Sequence, residues 1–318
     1  MKSVTISVPH RISGFFQIVD TINGVKIKNP QKIGSRGAGF NLSAKGTTKI
    51  ILKQKNLTPK RNKNCQIFIN GEELNQKAET SFYILKRMTK GLEKKINSYQ
   101  IKVKHDFELP VGCGYGASGS GALGLVYGLN RLLELGLPRE ELDKIAHVAE
   151  VVNQTGLGTV CGQLAGGLSV LVEPGHPCSY FNIEFPHNLR VICGTFGDLH
   201  TRSVLSDPVM QKEIKKAGKE ALKNMKKNPS VESFMENSIN FVKRTRMLNL
   251  LDLPEIKKII DELNRLNIIG ASMNQLGRSV YAICKEKAQK DVIQTFKSFR
   301  PDIEIYNLTI NPSGPKFF

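Results

Sequence analysis

A glycine-rich segment, GCGYGASGSG at residues 112–121, lies between a stretch that alternates like a β-strand and one with the composition of a helix. The strand-like stretch, YQIKVKHDFELP, ends at Pro110, which cannot continue a β ladder. The next stretch, GALGLVYGLNRLLELG, is apolar around most of its circumference and predicts a buried helix. Glycines before such a helix let backbone N–H groups converge on an anion at the positive end of the helix dipole. The segment is therefore a candidate phosphate-binding loop.

Two familiar phosphate loops do not fit this segment. Residues 114–119 match G-x-G-x-x-G, but Glu134, twenty residues after Gly114, lies in the tail of the same helix and not at the end of a second strand. No Gly-Lys-Ser/Thr follows, which excludes a Walker A loop. Gly121, Gly124 and Gly128 also have the spacing for close helix packing, so spacing alone leaves both roles open.

The order of predicted elements indicates an α+β protein. The first hundred residues contain short alternating stretches between Gly, Asn and Pro turns, the first of which is expected to stop at Pro9. From Asp207 to about Asn267 the pattern is mostly amphipathic helix, followed by strand, helix and strand. We expect a boundary near residues 174–188, dividing the chain into residues 1–178 and 179–318.

Composition limits the class of partner. The chain has 46 Lys and Arg against 28 Asp and Glu, a net charge of +18 that attracts anions. It has no RNA-recognition or zinc-finger signature, so we expect no nucleic acid partner; a basic nucleic-acid-binding module with a structural glycine loop is the alternative from another class. The six scattered cysteines have no C-x-x-C pair and are expected to be reduced, buried thiols. With no apolar run of membrane-spanning length and no leader, we expect a cytoplasmic protein without a membrane partner.

The stretch LPVGCGYGASGSGALG resembles the P-x-x-x-G-L-G-S-S-A-A loop of the GHMP kinases, named for galactokinase, homoserine kinase, mevalonate kinase and phosphomevalonate kinase. Within that superfamily, three stretches resemble the archaeal pantoate kinases: VPHRISGFFQIVD (8–20), GSRGAGFNLSAKG (34–46) and AHVAEVVNQTGLGTVCGQLAGGL (146–168). The third superfamily motif matches less well, as IIGASMNQLG (268–277). The order of predicted helices and strands along the chain also resembles that of the GHMP kinases.

The resemblance implies a GHMP kinase-like two-domain fold, with a β-rich N-terminal ATP-binding domain and a ferredoxin-like C-terminal domain. It further implies transfer of the ATP γ-phosphoryl group to the terminal hydroxyl of pantoate, giving 4-phosphopantoate on a route to coenzyme A. Homoserine or another hydroxy acid is the alternative acceptor. A homodimer is compatible with these observations.

The resemblance also assigns roles near the glycine loop. Ser118 and Glu150 would hold Mg²⁺, for which one carboxylate beside phosphates is chemically sufficient. From sequence alone, Ser118 could instead cap a helix and Glu150 could be a solvated boundary residue. The residues expected to bind ATP are Pro110, Gly112, Gly114, Tyr115, Gly116, Ala117, Ser118, Gly119 and Ser120.

The segment NQTGLGT departs from the family pattern. Many GHMP kinases place an aspartate after this G-L-G to accept the substrate proton, whereas this chain has Thr159. Activity is still expected, because phosphoryl transfer depends mainly on positioning and charge neutralisation. Homoserine kinase is a family precedent for lacking such a base.

The first superfamily motif lines the acceptor site, which points to His10, Arg11, Ser13 and Gly14. Arg11 or Arg36 could bind the pantoate carboxylate through a planar, bidentate guanidinium. The alternatives are a structural histidine at position 10 and an exposed turn residue at position 36. Arg202, in LHTRSVL, could close over the substrate from the second domain.

Overall fold

The computed structural model describes residues 1–54, 65–92, 96, 98–199, 207–299 and 303–317. Its strands are β1 (Lys2–Val19), β2 (Thr21–Ile22), β3 (Val25–Lys26), β4 (Gly34–Gln54), β5 (Cys65–Ile69), β6 (Glu72–Glu73), β7 (Tyr99–Phe107), β8 (Leu168–Glu173), β9 (Ser179–Ile183), β10 (Leu189–Thr195), β11 (Gly270–Met273), β12 (Ser279–Lys285), β13 (Ile305–Leu308) and β14 (Lys316–Phe317). Its helices are α1 (Glu79–Thr89), α2 (Ala117–Leu133), α3 (Arg139–Val152), α4 (Thr159–Ala165), α5 (Pro208–Lys227), α6 (Val231–Thr245), α7 (Met247–Leu250), α8 (Pro254–Leu263) and α9 (Gln289–Phe299). Short 3₁₀ turns occupy Pro30–Lys32, Asn75–Lys77 and Glu286–Ala288.

Eight strands form the larger sheet, in the order β14-β1-β4-β7-β5-β6, with β8 paired to β4 and β9 to β8. Its β5–β7 pair is parallel, whereas β1 and β4 are long antiparallel partners. The prediction that the first strand stops at Pro9 is wrong. The strand continues to Val19, with register shifts between Pro9 and Arg11 and between Ser13 and Phe15. A bulge tolerates proline, because the residue does not need to donate to a regular ladder there.

The buried helix predicted after the glycine loop is α2, and its glycines allow it to lie close to the larger sheet. An added Cβ would be 3.3 Å from the His105 ring at Gly121, would overlap Thr48 at Gly124, and would overlap Ile50 at Gly128. Because even a methyl group would collide at two of these positions, close packing explains the glycines inside the helix. The glycines before the helix need a different explanation.

The second sheet is antiparallel, in the order β11-β12-β10-β13. The helices predicted between Asp207 and about Asn267 are confirmed as α5 to α8. Asp207 and Ser230 begin α5 and α6 as side-chain N-caps, accepting from the backbone N–H groups of Met210 and Ser233. Helix α6 packs against β11 and β1, and one apolar cluster joins both sheets.

The division expected at residue 178 stays a prediction. Strand β9 follows that point yet pairs with β8 in the larger sheet, and the second sheet begins at Leu189. Strand β14 also returns to the larger sheet, beside β1. Sheet membership therefore changes between residues 183 and 189.

The expectation that every cysteine is a reduced thiol is wrong for two of them. Cys161 in α4 and Cys178 before β9 form a disulfide with a Cα–Cα distance of 5.4 Å. Strand β8 and the turn after it bring the two residues together, which scattered spacing could not indicate. Cys65, Cys113, Cys193 and Cys284 are free.

No helix in the described part of the chain is both long enough and apolar enough to cross a membrane.

Candidate active site

A cavity of about 860 Å³ lies beside the glycine loop and the ends of β1 and β4. Ten residues that the sequence assigned to a site line it: Arg11, Ser13, Arg36, Gly112, Gly114, Tyr115, Gly116, Ala117, Ser118 and Thr159. Six others do not line it: His10, Gly14, Pro110, Gly119, Ser120 and Glu150. The structure thus brings most of the predicted ATP loop and part of the predicted acceptor site into one cleft.

The glycine loop has a backbone conformation that other residues rarely adopt. Gly112, Gly114 and Gly116 have φ values of 81°, 87° and 70°. Helix α2 begins directly after Gly116, and no side chain caps its first turn. Ser118 therefore is not the helix cap that sequence alone allowed. The uncapped first turn leaves backbone N–H groups for an anion at the cleft.

The turn between β11 and β12 holds the glycine loop from the other side. A Cβ on Gly277 would overlap the carbonyl oxygen of Cys113, and one on Gly114 would lie 3.0 Å from Asn274 Nδ2. The Ser279 hydroxyl donates to the Cys113 carbonyl at 2.7 Å. The weakly matched third motif, residues 268–277, is therefore in contact with the phosphate loop.

Ser118 and Glu150, the predicted metal ligands, are neighbours. The Ser118 hydroxyl donates to Glu150 Oε2 at 3.2 Å, and the Thr155 hydroxyl donates to Oε1 at 2.7 Å. Thr80 contacts the Thr155 hydroxyl in turn, at 3.0 Å. The carboxylate is thus oriented by two hydroxyls at the edge of the cleft.

Burial makes the Glu150 carboxylate unusual. Its side chain is 1% exposed, which rules out the solvated role. Desolvation raises its pKa from 4.5 to about 7, although the hydrogen bonds from Thr155 and Ser118 partly oppose that rise. Within the described residues, Glu150 has no ion pair with a lysine or arginine. A buried carboxylate without a cationic partner fits a bound cation.

Thr159 is the first residue of α4, and Gly156 lies between it and the Glu150 carboxylate. A Cβ on Gly156 would overlap Glu150 Oε2 and would lie 3.1 Å from Thr159 Oγ1. A Cβ on Gly116 would lie 2.9 Å from the Thr159 methyl group. The position expected to carry the catalytic base therefore does adjoin the loop and the carboxylate, but a threonine hydroxyl is not a base at neutral pH.

His10 has a structural role and not the predicted contact with an acceptor. Its ring is fully buried, and Nδ1 donates to the Tyr115 carbonyl at 2.9 Å while Nε2 accepts from the Leu109 N–H at 3.4 Å. This pattern assigns the proton to Nδ1. Burial lowers the pKa of His10 to about 4, so the ring is neutral at pH 7.

The Arg11 guanidinium is also committed to the protein core. It donates to the Gly162 carbonyl at 2.9 Å, Ser169 Oγ at 3.0 Å and Asn41 Oδ1 at 3.3 Å. Burial lowers its pKa to about 9. These three bonds hold the guanidinium in place within the core, where the residue is only 3% exposed, and so argue against a primary role for Arg11 in binding a substrate carboxylate.

Other predicted contacts also fall outside the cleft. The Ser120 hydroxyl donates to the Val8 carbonyl at 2.9 Å, and Gly14 packs against Phe234 and Ser238 of α6. Gly119 packs against Gln163 and Thr159. These residues are buried behind the glycine loop and β1. Sequence periodicity does not show on which side of a loop a residue is buried, which is why the predicted contacts differ from those in the structure. Arg202 lies outside the described residues.

Arg36 remains available at the cleft. Its NH2 group donates to Glu173 Oε2 at 2.9 Å, while its Nε is buried without a hydrogen-bond partner. The side chain lines the cleft together with Ser13. Of the two arginines proposed to bind a carboxylate, the geometry favours Arg36.

Several polar residues of the site were missed by the sequence analysis. Gln163 Nε2 donates to the carbonyls of Pro9 and Gly116, at 2.9 and 3.0 Å, and so supports the loop. These partners lie 154 and 47 residues away in the chain, so no local pattern could indicate them. The missed residues that line the cleft include Lys77, Glu79, Asn153, Gln154 and Thr155.

A glycine loop at an uncapped helix, with a serine and a buried carboxylate beside it, fits the binding of a phosphorylated ligand, and comparison with known proteins places the chain among kinases of the GHMP type. Residues 83–167 match the family described as "GHMP kinases N terminal domain". A solved structure described as "Phosphotransferase related to CoA biosynthesis pathway" has a TM-score of 0.84 and 27% identity, covering 100% of this chain and 99% of that one.

Two curated relatives narrow the assignment from the GHMP kinases in general to one family among them. A pantoate kinase of Thermococcus kodakarensis is 32% identical over 89% of this chain and 88% of its own length. Another, of Methanocaldococcus jannaschii, is 30% identical over 91% of this chain and 96% of its own. The chain belongs to the pantoate kinase family of GHMP kinases. This confirms the predicted resemblance, the two-domain GHMP fold and the class of ATP-dependent phosphotransferase.

Proposed function

We propose that this protein transfers the γ-phosphoryl group of ATP to the terminal hydroxyl of pantoate, giving 4-phosphopantoate for coenzyme A synthesis. The observation that carries the proposal is that Ser118 and Thr159 line the cleft beside the glycine loop, with the buried Glu150 carboxylate directly behind them in contact with Ser118. The names of the two curated relatives support pantoate as the acceptor.

The glycine loop and the residues beside it would bind different parts of the ATP–Mg²⁺ complex. Backbone N–H groups at the start of α2 would bind the phosphates of ATP. Glu150 and Ser118 would hold Mg²⁺, which neutralises phosphate charge when bound. Among the described residues, no three His, Cys, Asp or Glu side chains group to hold a metal ion. The protein would therefore supply few ligands, as is usual for Mg²⁺ beside substrate phosphates.

Thr159 is not required as a base in this proposal. The acceptor proton would leave late, since the transition state for phosphoryl transfer is loose and little charge develops on the attacking oxygen. We expect Thr159→Ala to keep kcat within about threefold of the parent value, because only positioning changes. Steady-state ADP release tests this. Complete loss of turnover in a folded variant that still binds ATP would give Thr159 a direct role and contradict the proposal.

Arg36 would bind the pantoate carboxylate. We expect Arg36→Met to raise KM for pantoate about 10- to 100-fold with a smaller change in KM for ATP, since a charge-assisted bond is lost on the acceptor side only. Arg190→Met is the matched control, because Arg190 forms an equivalent ion pair with Glu286 at 2.9 Å and has the same 33% side-chain exposure as Arg36. Equal KM values for pantoate in the two variants would exclude Arg36 from the acceptor site.

The function itself is tested with a panel of acceptors. The protein is incubated with ATP, Mg²⁺ and pantoate, homoserine, mevalonate or shikimate, and ADP release is followed. Pantoate should give the highest kcat/KM. A preference for homoserine or mevalonate would move the protein to the alternative acceptor. No release with any acceptor, together with salt-sensitive binding to random oligonucleotides, would favour the nucleic-acid-binding alternative.

The proposal includes dependence on Mg²⁺, a cytoplasmic location and no nucleic acid partner. It also allows a homodimer. Measuring activity after chelation tests the dependence on Mg²⁺. Sedimentation of the purified protein with and without oligonucleotides tests the oligomeric state and the absence of a nucleic acid partner.

A further inference from the structure

Two leucines line the cleft near Arg36 and Thr159 and give it apolar surface there. Leu171 lies on β8 and is 6% exposed, and Leu157 lies half-buried in the segment before α4; both line the cleft. Phosphate, metal and carboxylate binding would use none of this surface. Its position is fixed by contacts to the residues beside Arg36 and Thr159.

Leu171 adjoins both of those neighbourhoods. In the β4–β8 pair it lies opposite Gly37, the residue after Arg36. Its Cδ1 atom would be 3.1 Å from a Cβ on Gly158, the residue before Thr159. Leu157 is tied to the same strand, since its carbonyl accepts from the Ser35 N–H at 3.1 Å. The two leucines therefore lie next to the segments that carry the proposed carboxylate ligand and the position of the missing base.

We propose that Leu157 and Leu171 hold the geminal dimethyl group of pantoate and so determine the choice of acceptor. This inference rests on the proposed function. Pantoate has a carboxylate at one end and the reacting hydroxyl at the other, with a quaternary carbon bearing two methyl groups directly before the hydroxyl-bearing carbon. A pantoate molecule with its carboxylate at Arg36 and its terminal hydroxyl at Thr159 places those methyl groups between the two, against the leucines.

The matched probe is 2,4-dihydroxybutanoate, which keeps the carboxylate and both hydroxyls of pantoate but lacks both methyl groups. Burying two methyl groups favours pantoate by about 15-fold in kcat/KM, which corresponds to about 1.6 kcal/mol. A pocket that fits methyl groups discriminates by amounts of this order. The ratio of the two kcat/KM values isolates the methyl contact from every contact that the acceptors share.

The experiment measures this ratio in the parent protein and in Leu171→Ala, Leu157→Ala and Leu199→Ala. Leu199 is the control because it also lines the cleft, but its N–H donates to the Gly112 carbonyl beside the phosphate loop. We expect Leu171→Ala and Leu157→Ala each to lower the ratio to about threefold, and Leu199→Ala to keep the parent ratio. Leu157 is less buried than Leu171, so its variant provides the test if Leu171→Ala does not fold.

Each outcome has a distinct meaning. A parent ratio near one, or ratios unchanged in both acceptor-side variants, would overturn the inference while pantoate turnover would still support the proposed function. A ratio that falls equally in Leu199→Ala would also overturn it, because the effect would then be general to the cleft. A parent protein that phosphorylates neither compound would overturn the proposed function, and the inference with it.

Discussion

Glu150→Gln is expected to reduce kcat by about a thousandfold and to raise the stability of the metal-free protein. The loss of turnover follows from the position of the carboxylate beside Ser118 and the glycine loop, where it would hold the cation that neutralises phosphate charge. Removing one group that stabilises transition-state charge typically costs a hundred- to a thousandfold, or about 3–4 kcal/mol. Glutamine has the same shape and keeps an acceptor oxygen for Thr155.

The gain in stability follows from the raised pKa of Glu150, about 7 in the folded protein against 4.5 ordinarily. Below pH 4.5 the carboxyl is protonated in both the folded and the unfolded chain, so burial imposes no ionisation penalty. Between pH 4.5 and 7 the unfolded chain ionises first, and the free energy of unfolding falls. Above pH 7 the full penalty, about 3 kcal/mol, is present in the parent protein and absent from Glu150→Gln.

Thermal unfolding in EDTA at pH 4.5 and pH 8, with kcat measured at pH 8 in Mg²⁺, checks both parts. The advantage of Glu150→Gln over the parent should be present at pH 8 and small at pH 4.5. Glu286→Gln is the control, since it removes an exposed carboxylate that is distant from Glu150 in the sequence. Full activity of Glu150→Gln, or a loss of stability at pH 8, would contradict the proposed role of this carboxylate.

Removing the Cys161–Cys178 disulfide is expected to lower the free energy of unfolding by about 3 kcal/mol, which is the chain-entropy value for a closed loop of this size. The two cysteines are 17 residues apart, and the loop includes the end of α4 and all of β8. The double variant Cys161→Ser/Cys178→Ser should therefore unfold at a temperature about 4–5 °C lower. Cys65→Ser is the control, because Cys65 is free and only partly buried.

Thiol titration in denaturant gives an independent readout. The unreduced protein should show the four free thiols of Cys65, Cys113, Cys193 and Cys284, and the reduced protein all six cysteines. Six thiols without reductant would show that the disulfide does not form in the purified protein.

The sequence predicted the parts of the site that depend on local pattern. The glycine loop, the buried helix behind it and the order of later elements all follow from residue spacing and apolar periodicity. Ser118 and Glu150 required the family resemblance, because nothing local relates two residues that are 32 positions apart. The structure brings them together since α2 and α3 pack side by side.

Arg11 shows why the surroundings of a residue cannot be predicted from its motif position. Its motif position suggested a substrate ligand, but its partners Asn41, Gly162 and Ser169 are 30, 151 and 158 residues away. Their convergence depends on the bulge in β1, on the pairing of β4 with β8 and on the position of α4. A basic residue enclosed by polar groups from three distant segments has the same sequence pattern as one that faces a ligand.

The contacts between the glycine loop and the β11–β12 turn have a consequence for motion. Ser279 bonds the Cys113 carbonyl, and the Gln275 N–H bonds the Ser13 carbonyl at 3.2 Å, so both sheets are joined at the base of the cleft. A hinge through this base would break those bonds together. Closure over substrates, which commonly takes microseconds to milliseconds in enzymes, is therefore expected in lining segments that lack these bonds, such as the one that carries Lys77 and Glu79. The bonded segments around Cys113 and Ser13 would then stay fixed while the closing segment moves.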